Sequence, residues 1–261
     1  MTSFTSSLKI VAAAVILHAS ATIPVFAGEN LDKIKSSGTI RIGTEGTYAP
    51  FTFHDASGKL VGFDVEIGEA VAEKLGVEAQ FVEGKWDGLI AGLDANRYDA
   101  VINQVGITDA RKQKYAFSEP YIASKAVLIV RENSEDIKGF ADLKGKKAAQ
   151  SLTSNYGKMA EEAGAELIGT EGFDQSIQLV LTGRADATLN DSLSFLDFKK
   201  QKPDAPVKVV AEQAEASYSG ILLRQGDDEL VAAVNQALED IKGDGTYQKI
   251  SEKYFGQDLS K

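Results

Sequence analysis

Short apolar runs of strand length alternate with amphipathic stretches of helix length along almost the whole chain. "TIRIG" spaces Ile40 and Ile42, and "PFTFHD" spaces Phe51 and Phe53, both at strand period. After a turn in "HDASGKL" with Gly58 free to take positive φ, "GFDVEIGEAVAEKLG" sets Ile67, Val71 and Leu75 on one helix face. Asp64 is expected to cap that helix and Gly76 to end it. "AQFVEG" reads as a strand and "DGLIAGLDANR" as a helix with Leu89, Ile90 and Leu93 inward. "DAVINQ" reads as a strand buried on both faces, as in a parallel sheet. Beyond Pro120, "KAVLIVREN", "KKAAQS", "AELIG", "DATLN", "VKVVAE" and "SGILLRQ" are expected strands, interleaved with helices at "NYGKMAEEAG", "DQSIQLVLTG" and "SLSFLDFKKQ". Two helices close the chain, "DDELVAAVNQALEDIKG", with Leu230, Val234, Leu238 and Ile241 inward, and "DGTYQKISEKYFG". Such alternation predicts an α/β fold with mostly parallel sheets.

One pattern occurs twice. "RYDAVINQ" (97–104) and "RADATLND" (184–191) share Arg-x-Asp-Ala-x-x-Asn, each behind a predicted helix. Helix–turn–strand units reuse the same turn chemistry, so the match alone leaves coincidence open. The other reading is two lobes of like topology, each ending a strand in polar residues at the sheet edge where open α/β folds bind ligands. Gln104 to Arg111 would then face Asp191 across a cleft.

The N-terminus reads as an address. "MTSFTSSLK" carries positive charge and no acid, an Ala- and Val-rich apolar stretch follows, and "VFA" sets small residues before Gly28. This predicts a signal peptide over 1–27, cleaved after Ala27, too broken by His18, Ser20 and Pro24 for a permanent span. With no cysteine in the chain, lipid anchoring, disulfides and thiol chemistry are excluded. The expected product is a free, monomeric periplasmic protein. A formal net charge of −10 argues against nucleic acid and anionic membrane surfaces as partners.

"GFDVEIGEAVAEKL", "GTYAPF", "KWDGLIAGLD", "GITDAR", "YAFSEPY", "GRADA" and "DGTYQKISEKYFG" together resemble the extracytoplasmic solute-binding proteins that deliver polar amino acids to ABC importers. The resemblance covers nearly all of the mature chain. "KWDG" with "INQV" is most similar to the cystine-binding branch. It implies a periplasmic-binding-protein type II fold: lobe 1 from 28–124 and 219–261, lobe 2 from 125–218, joined by a two-strand hinge near Ile122–Lys125 and Ser217–Ile221. It also implies an inner-membrane ABC permease as partner, L-cystine or L-cysteine as ligand, and glutamine or another polar amino acid as the alternative.

An amino-acid zwitterion needs a cation for its carboxylate and an anion for its ammonium. Arg111 suits the first, since guanidinium grips carboxylate bidentately. From composition alone it could equally be a solvated surface residue; the resemblance assigns it to the α-carboxylate. Thr108 is expected to stabilise the turn that aims Arg111. Asp191 matches the family's ammonium-binding carboxylate and also sits where a helix cap is needed, a duty Asn190 could take over. By resemblance, Ser154 offers a hydroxyl and backbone N–H to the carboxylate, while Gly106 stands where relatives carry a hydroxyl and leaves only backbone. Tyr48 and Trp86 match the aromatic wall of the side-chain pocket, though an aromatic at Trp86 also suits a core. Asn103 and Gln104 are candidate polar wall residues or plain strand-end amides. No acid is expected among these wall residues to pair a lysine or arginine head.

Catalysis finds little support. The mature chain holds one histidine, His54, in an expected turn, and no cluster has metal-ligand spacing, so no metal or cofactor is expected. "DLKGKK" lacks the hydroxyl residue and following helix of a phosphate loop. The enzymatic alternative is a periplasmic cyclohexadienyl-type dehydratase on the same scaffold, which would need an unpaired cleft carboxyl as general acid.

Overall fold

A computed structural model of the chain describes residues 29–260. The expected signal peptide lies outside the described residues. The chain enters through α1 (Glu29–Ser37) and builds a first five-stranded sheet in the order β5 (Glu78–Glu83), β1 (Thr39–Thr44), β6 (Ala100–Val101), β15 (Leu222–Arg224), β7 (Tyr115–Phe117). A small sheet of β2 (Thr47–Tyr48), β3 (Thr52–His54) and β4 (Leu60–Val61) follows β1. On one face of the large sheet lie α2 (Phe63–Leu75), α8 (Asp228–Gly243) and α9 (Thr246–Phe255), around Ile67, Val71, Leu230, Val234, Leu238 and Ile241. On the other, α3 (Trp86–Asp94) packs Trp86, Leu89 and Leu93 over Val101 and Leu222. The short α4 (Asp109–Lys112) leads into β7.

The chain then crosses on β8 (Ile122–Ser124) and returns on β14 (Ser217–Ser219), and these two strands pair antiparallel as a sheet of their own. Between them lies a second five-stranded sheet in the order β11 (Glu166–Gly169), β10 (Lys147–Gln150), β12 (Ala187–Asp191), β9 (Ala126–Arg131), β13 (Val207–Glu212). β9 shows how one strand serves two layers at period two. Val127 and Ile129 join Phe173 and Ile177, on α6 (Phe173–Leu181), with Phe198 on α7 (Ser192–Gln201); Leu128 and Val130 join Ala160, on α5 (Asn155–Glu162).

The fold is therefore the expected two-lobed α/β type II architecture, with one correction. Each large sheet holds two parallel and two antiparallel pairings, because the strands that follow or precede the crossover run back against their neighbours. Apolar runs report burial and are silent on direction.

The repeated Arg-x-Asp-Ala pattern has a structural counterpart. Asp99 accepts from the N–H of Arg41 at 2.9 Å, and the Asp99 N–H donates to the Arg41 carbonyl at 2.8 Å. Asp186 exchanges the same two bonds with Lys147, both at 2.8 Å. In each lobe the aspartate ties the incoming strand to the parallel strand beside it.

Helix α2 corrects another expectation. Gly62, at φ 138, is its N-cap, and an added Cβ there would run into the Phe51 carbonyl, so only glycine fits. Asp64 lies inside the first turn, fully buried, and its carboxyl bonds elsewhere. Gly76 ends the helix left-handed at φ 76 as expected. His54 closes β3 rather than occupying a turn, 3.3 Å from a Glu83 oxygen. Among the described residues no helix is long and apolar enough to cross a membrane, and no group of three His, Cys, Asp or Glu is placed to hold a metal.

Candidate functional site

The C-terminal ends of the parallel strands in both lobes meet at a cavity between them. Glu45, Tyr48, Trp86 and Gln104 line it from lobe 1; Ser154, Asn155, Tyr156 and Phe173 are among the residues facing them from lobe 2. Helix α5 opens at this wall, where a helix N-terminus favours anions.

Of the nine expected site residues, Tyr48, Trp86, Gln104 and Ser154 form the wall directly. Arg111 stands behind Trp86, its guanidinium 5.3 Å from the ring centroid. Nη1 donates to the Gly106 carbonyl at 3.0 Å, so the Gly106 backbone helps hold the cation. A Cβ on Gly106 would lie 3.6 Å from that Nη1 and 3.7 Å from the Asn155 amide, which puts the lobe-2 helix start beside the cation. Thr108 caps α4 and accepts the Arg111 N–H at 3.3 Å, the turn-setting part expected of it. Burial pulls the Arg111 guanidinium down to about 10, so it stays charged at neutral pH. No ion pair joins it to a carboxylate among the described residues.

Asp191 ends β12 with 2 % exposure. It does cap α7, Oδ1 accepting the Leu193 N–H at 2.8 Å, while Asn190 instead accepts from its neighbour's N–H and from the Tyr48 hydroxyl, each at 2.7 Å. Asn190 is thus no substitute cap. Oδ2 of Asp191 is left to the hydroxyls of Ser124, on the hinge strand, and Tyr156, at 3.3 Å. Burial raises this carboxyl despite those donors. A cation arriving at Oδ2 would favour the charged carboxylate against that burial.

Ser154 departs from expectation. Its hydroxyl donates to the Ser151 carbonyl at 2.7 Å and accepts the Gly157 N–H at 2.9 Å, and its own N–H also reaches the Ser151 carbonyl at 3.1 Å. Both groups are committed to the helix cap. Asn103 is fully buried and acts through Glu45, to whose Oε2 it donates at 2.6 Å while its own oxygen accepts the Glu45 N–H at 2.8 Å.

Glu45 overturns the expectation of an acid-free wall. It follows β1 directly, at the same sheet edge as Asn103, and burial pushes its carboxyl up to about 7. The strand-end rule that singled out Asn103 and Gln104 applies equally to it. Tyr156 and Asn155 carry no comparable signal: they follow Ser154 in a helix start, and only the fold turns them toward the cleft. Two buried polar atoms in the wall, Trp86 Nε1 and Gln104 Oε1, have no hydrogen-bond partner in the protein. One is a donor and the other an acceptor, and both belong to residues that line the cavity.

The lobes touch around the cavity. Lys85 pairs with Glu171, the Asp87 carboxylate accepts the Thr153 N–H and hydroxyl at 3.0 and 2.8 Å, and Tyr48 reaches Asn190. A cation behind an aromatic, buried acids across from it and lobes latched by polar contacts define a cleft-binding protein of the type II periplasmic class. The chain belongs to the bacterial extracellular solute-binding proteins, family 3, whose model matches residues 40–257. It is 47 % identical over 235 residues to the L-cystine-binding protein TcyA of Bacillus subtilis (strain 168), covering 90 % of this chain and 87 % of that one. The unliganded, open L-cystine solute receptor of Neisseria gonorrhoeae is 50 % identical, with 90 % of this chain and all of that chain covered, at a TM-score of 0.59. An ancestral arginine-binding protein bound to arginine is 41 % identical, covering 84 % and 99 %, at a TM-score of 0.79. Higher identity with lower overall superposition fits two like lobes set at a different angle in the open receptor, and in the present structure the lobes touch.

Proposed function

We propose that this protein binds a polar amino acid, foremost L-cystine, between its lobes and hands it to an inner-membrane ABC permease. The observation that carries the reading is the charge pattern of the cleft: the half-buried Arg111 guanidinium, without a carboxylate partner among the described residues, lies over the wall residue Trp86, with the Glu45 carboxyl in the wall and that of Asp191 against the wall residue Tyr156. Arg111 takes the α-carboxylate and Asp191 the α-ammonium. Glu45 takes the second ammonium, which cystine has and cysteine and glutamine lack. Tyr48, Trp86 and Phe173 supply aromatic edges to the disulfide, at ~0.3–1.5 kcal/mol per sulfur contact. The names of the relatives above support the same ligand. Glu45 also removes the physical objection to a lysine or arginine head, so the distinction between cystine and a basic ligand rests on experiment.

The moving units are 28–124 with 219–261, and 125–218, and closure over the ligand makes the form the permease receives. The chain acts as a periplasmic monomer after cleavage behind Ala27; the intact mass of secreted material should equal residues 28–261. Calorimetric titration of ligand-stripped protein with cystine, cysteine, glutamine, arginine and histidine tests the ligand. Cystine should bind tightest. Tightest binding to arginine would overturn the ligand, and binding of none would overturn the function. Prephenate incubated with the protein should keep its ultraviolet absorbance; loss of it would mean an enzyme.

A further inference from the structure

Gln104 is held in an uncommon way. Besides Asn96, it is the one non-glycine with positive φ among the described residues, at 52°. A residue with a side chain keeps such a conformation only where its surroundings hold it. The holder is Asp64, from the first turn of α2, fully buried beneath the cleft. Its Oδ2 accepts the Gln104 backbone N–H at 2.7 Å, and its Oδ1 accepts the Gln104 side-chain Nε2 at 2.9 Å and the Tyr121 hydroxyl at 3.1 Å. A carboxylate only accepts, so the amide must turn its NH2 toward Asp64. The other end, Oε1, is a buried atom of a residue that lines the cavity, and it is left without a protein partner. Burial pushes the Asp64 carboxyl up to about 7, while the donors of Gln104 and Tyr121 and the helix N-terminus favour its charged form.

We propose that Asp64, without touching the ligand, is the positioning residue that sets the polarity of the cleft floor: it clamps Gln104 so that the amide oxygen faces the ligand, and so selects molecules presenting an N–H donor there. This rests on the cleft site proposed above. An asparagine at position 64 would let the amide reverse and offer NH2 to the cleft, turning an attraction for ammonium into a repulsion between donors.

The test uses wild type, Gln104→Met, Asp64→Asn and the double variant, each titrated with whichever of the five amino acids binds wild type tightest. Each single change should weaken binding at least tenfold, and the double variant should be within threefold of Gln104→Met, since Asp64 acts only through Gln104. Asp64→Asn binding within threefold of wild type, or losses that multiply in the double variant, would overturn the inference. A measurement on wild type removes dependence on whether Asp64→Asn folds. The Gln104 side-chain NH2 protons, assigned by their absence from Gln104→Met, should be protected from exchange with water in the free and bound protein; fast exchange in either state overturns the clamp. Wild type that binds none of the five removes the proposed function itself, an outcome distinct from wild type that binds while the variants go unaffected.

Discussion

Glu45→Gln should move stability and affinity in opposite directions. The side chain keeps its shape and can still accept from Asn103, so the change is confined to charge. The carboxyl sits at about 7 in the folded protein against an ordinary 4.5, mainly because burial disfavours the anion, with Asp87 adding repulsion. The folded state therefore holds this proton more tightly than the unfolded chain. The associated stability is full below pH 4.5, erodes as pH rises through about 7, and is gone above that. Across that window it amounts to roughly 3 kcal/mol. The substituted amide does not titrate, so ligand-free Glu45→Gln should gain on wild type as pH rises, with the gap opening between pH 5 and pH 8 in urea melts. Affinity should go the other way. A charged hydrogen bond to the distal ammonium is worth ~1.5–3 kcal/mol, so cystine binding at pH 8 should fall roughly tenfold to a hundredfold. Cysteine, with no second ammonium, should lose less than threefold. A stability gap that does not vary with pH would refute the burial argument. Cystine and cysteine losing affinity equally would refute the ammonium site.

Arg111→Ala removes the carboxylate's counter-charge in a closed cleft, at ~2–5 kcal/mol, or about thirtyfold to several thousandfold in affinity; calorimetry showing a loss under threefold would put the carboxylate elsewhere. Asp87→Ala deletes both bonds to Thr153 across the cleft, so the free protein should spend more time open, read as a larger radius of gyration in small-angle scattering, and an unchanged radius would show the latch to be idle. Gly62→Ala drives a methyl into the Phe51 carbonyl at φ 138, and thermal melts should show a loss of ~3 kcal/mol or more; a smaller loss would mean the β3–α2 junction relaxes freely.

The helices are legible in the sequence because their faces are. Ile67 and Val71, or Leu230, Val234, Leu238 and Ile241, repeat at helical spacing and are all buried where that spacing places them. The cleft edge is legible because strand ends carry polar residues there. What stays hidden depends on partners distant in sequence. Asp64 looks like a cap from its neighbours alone, and only the fold shows that its bonds go to Gln104, forty positions on. Ser154 looks like a free hydroxyl until the Ser151 carbonyl is seen to take it. Strand direction escapes the sequence because β9 and β15 are placed by the crossover rather than by their own composition.

The place of β15 has a consequence for how the molecule comes into being. Leu222–Arg224 lies between β6 and β7, both more than a hundred residues earlier, and α8 and α9 then complete the apolar face that α2 begins. A chain that emerges amino end first cannot close its first sheet until nearly all of it has arrived. The second lobe, contiguous between β8 and β14, has all its strands well before then. The topology predicts a folding order inverted relative to synthesis, with the inserted lobe maturing first and the lobe that begins the sequence finishing last. Until then the exposed flank of α2 and the open edges of β6 and β7 await their partner strand, a stretch of time in which a holding chaperone has most to protect.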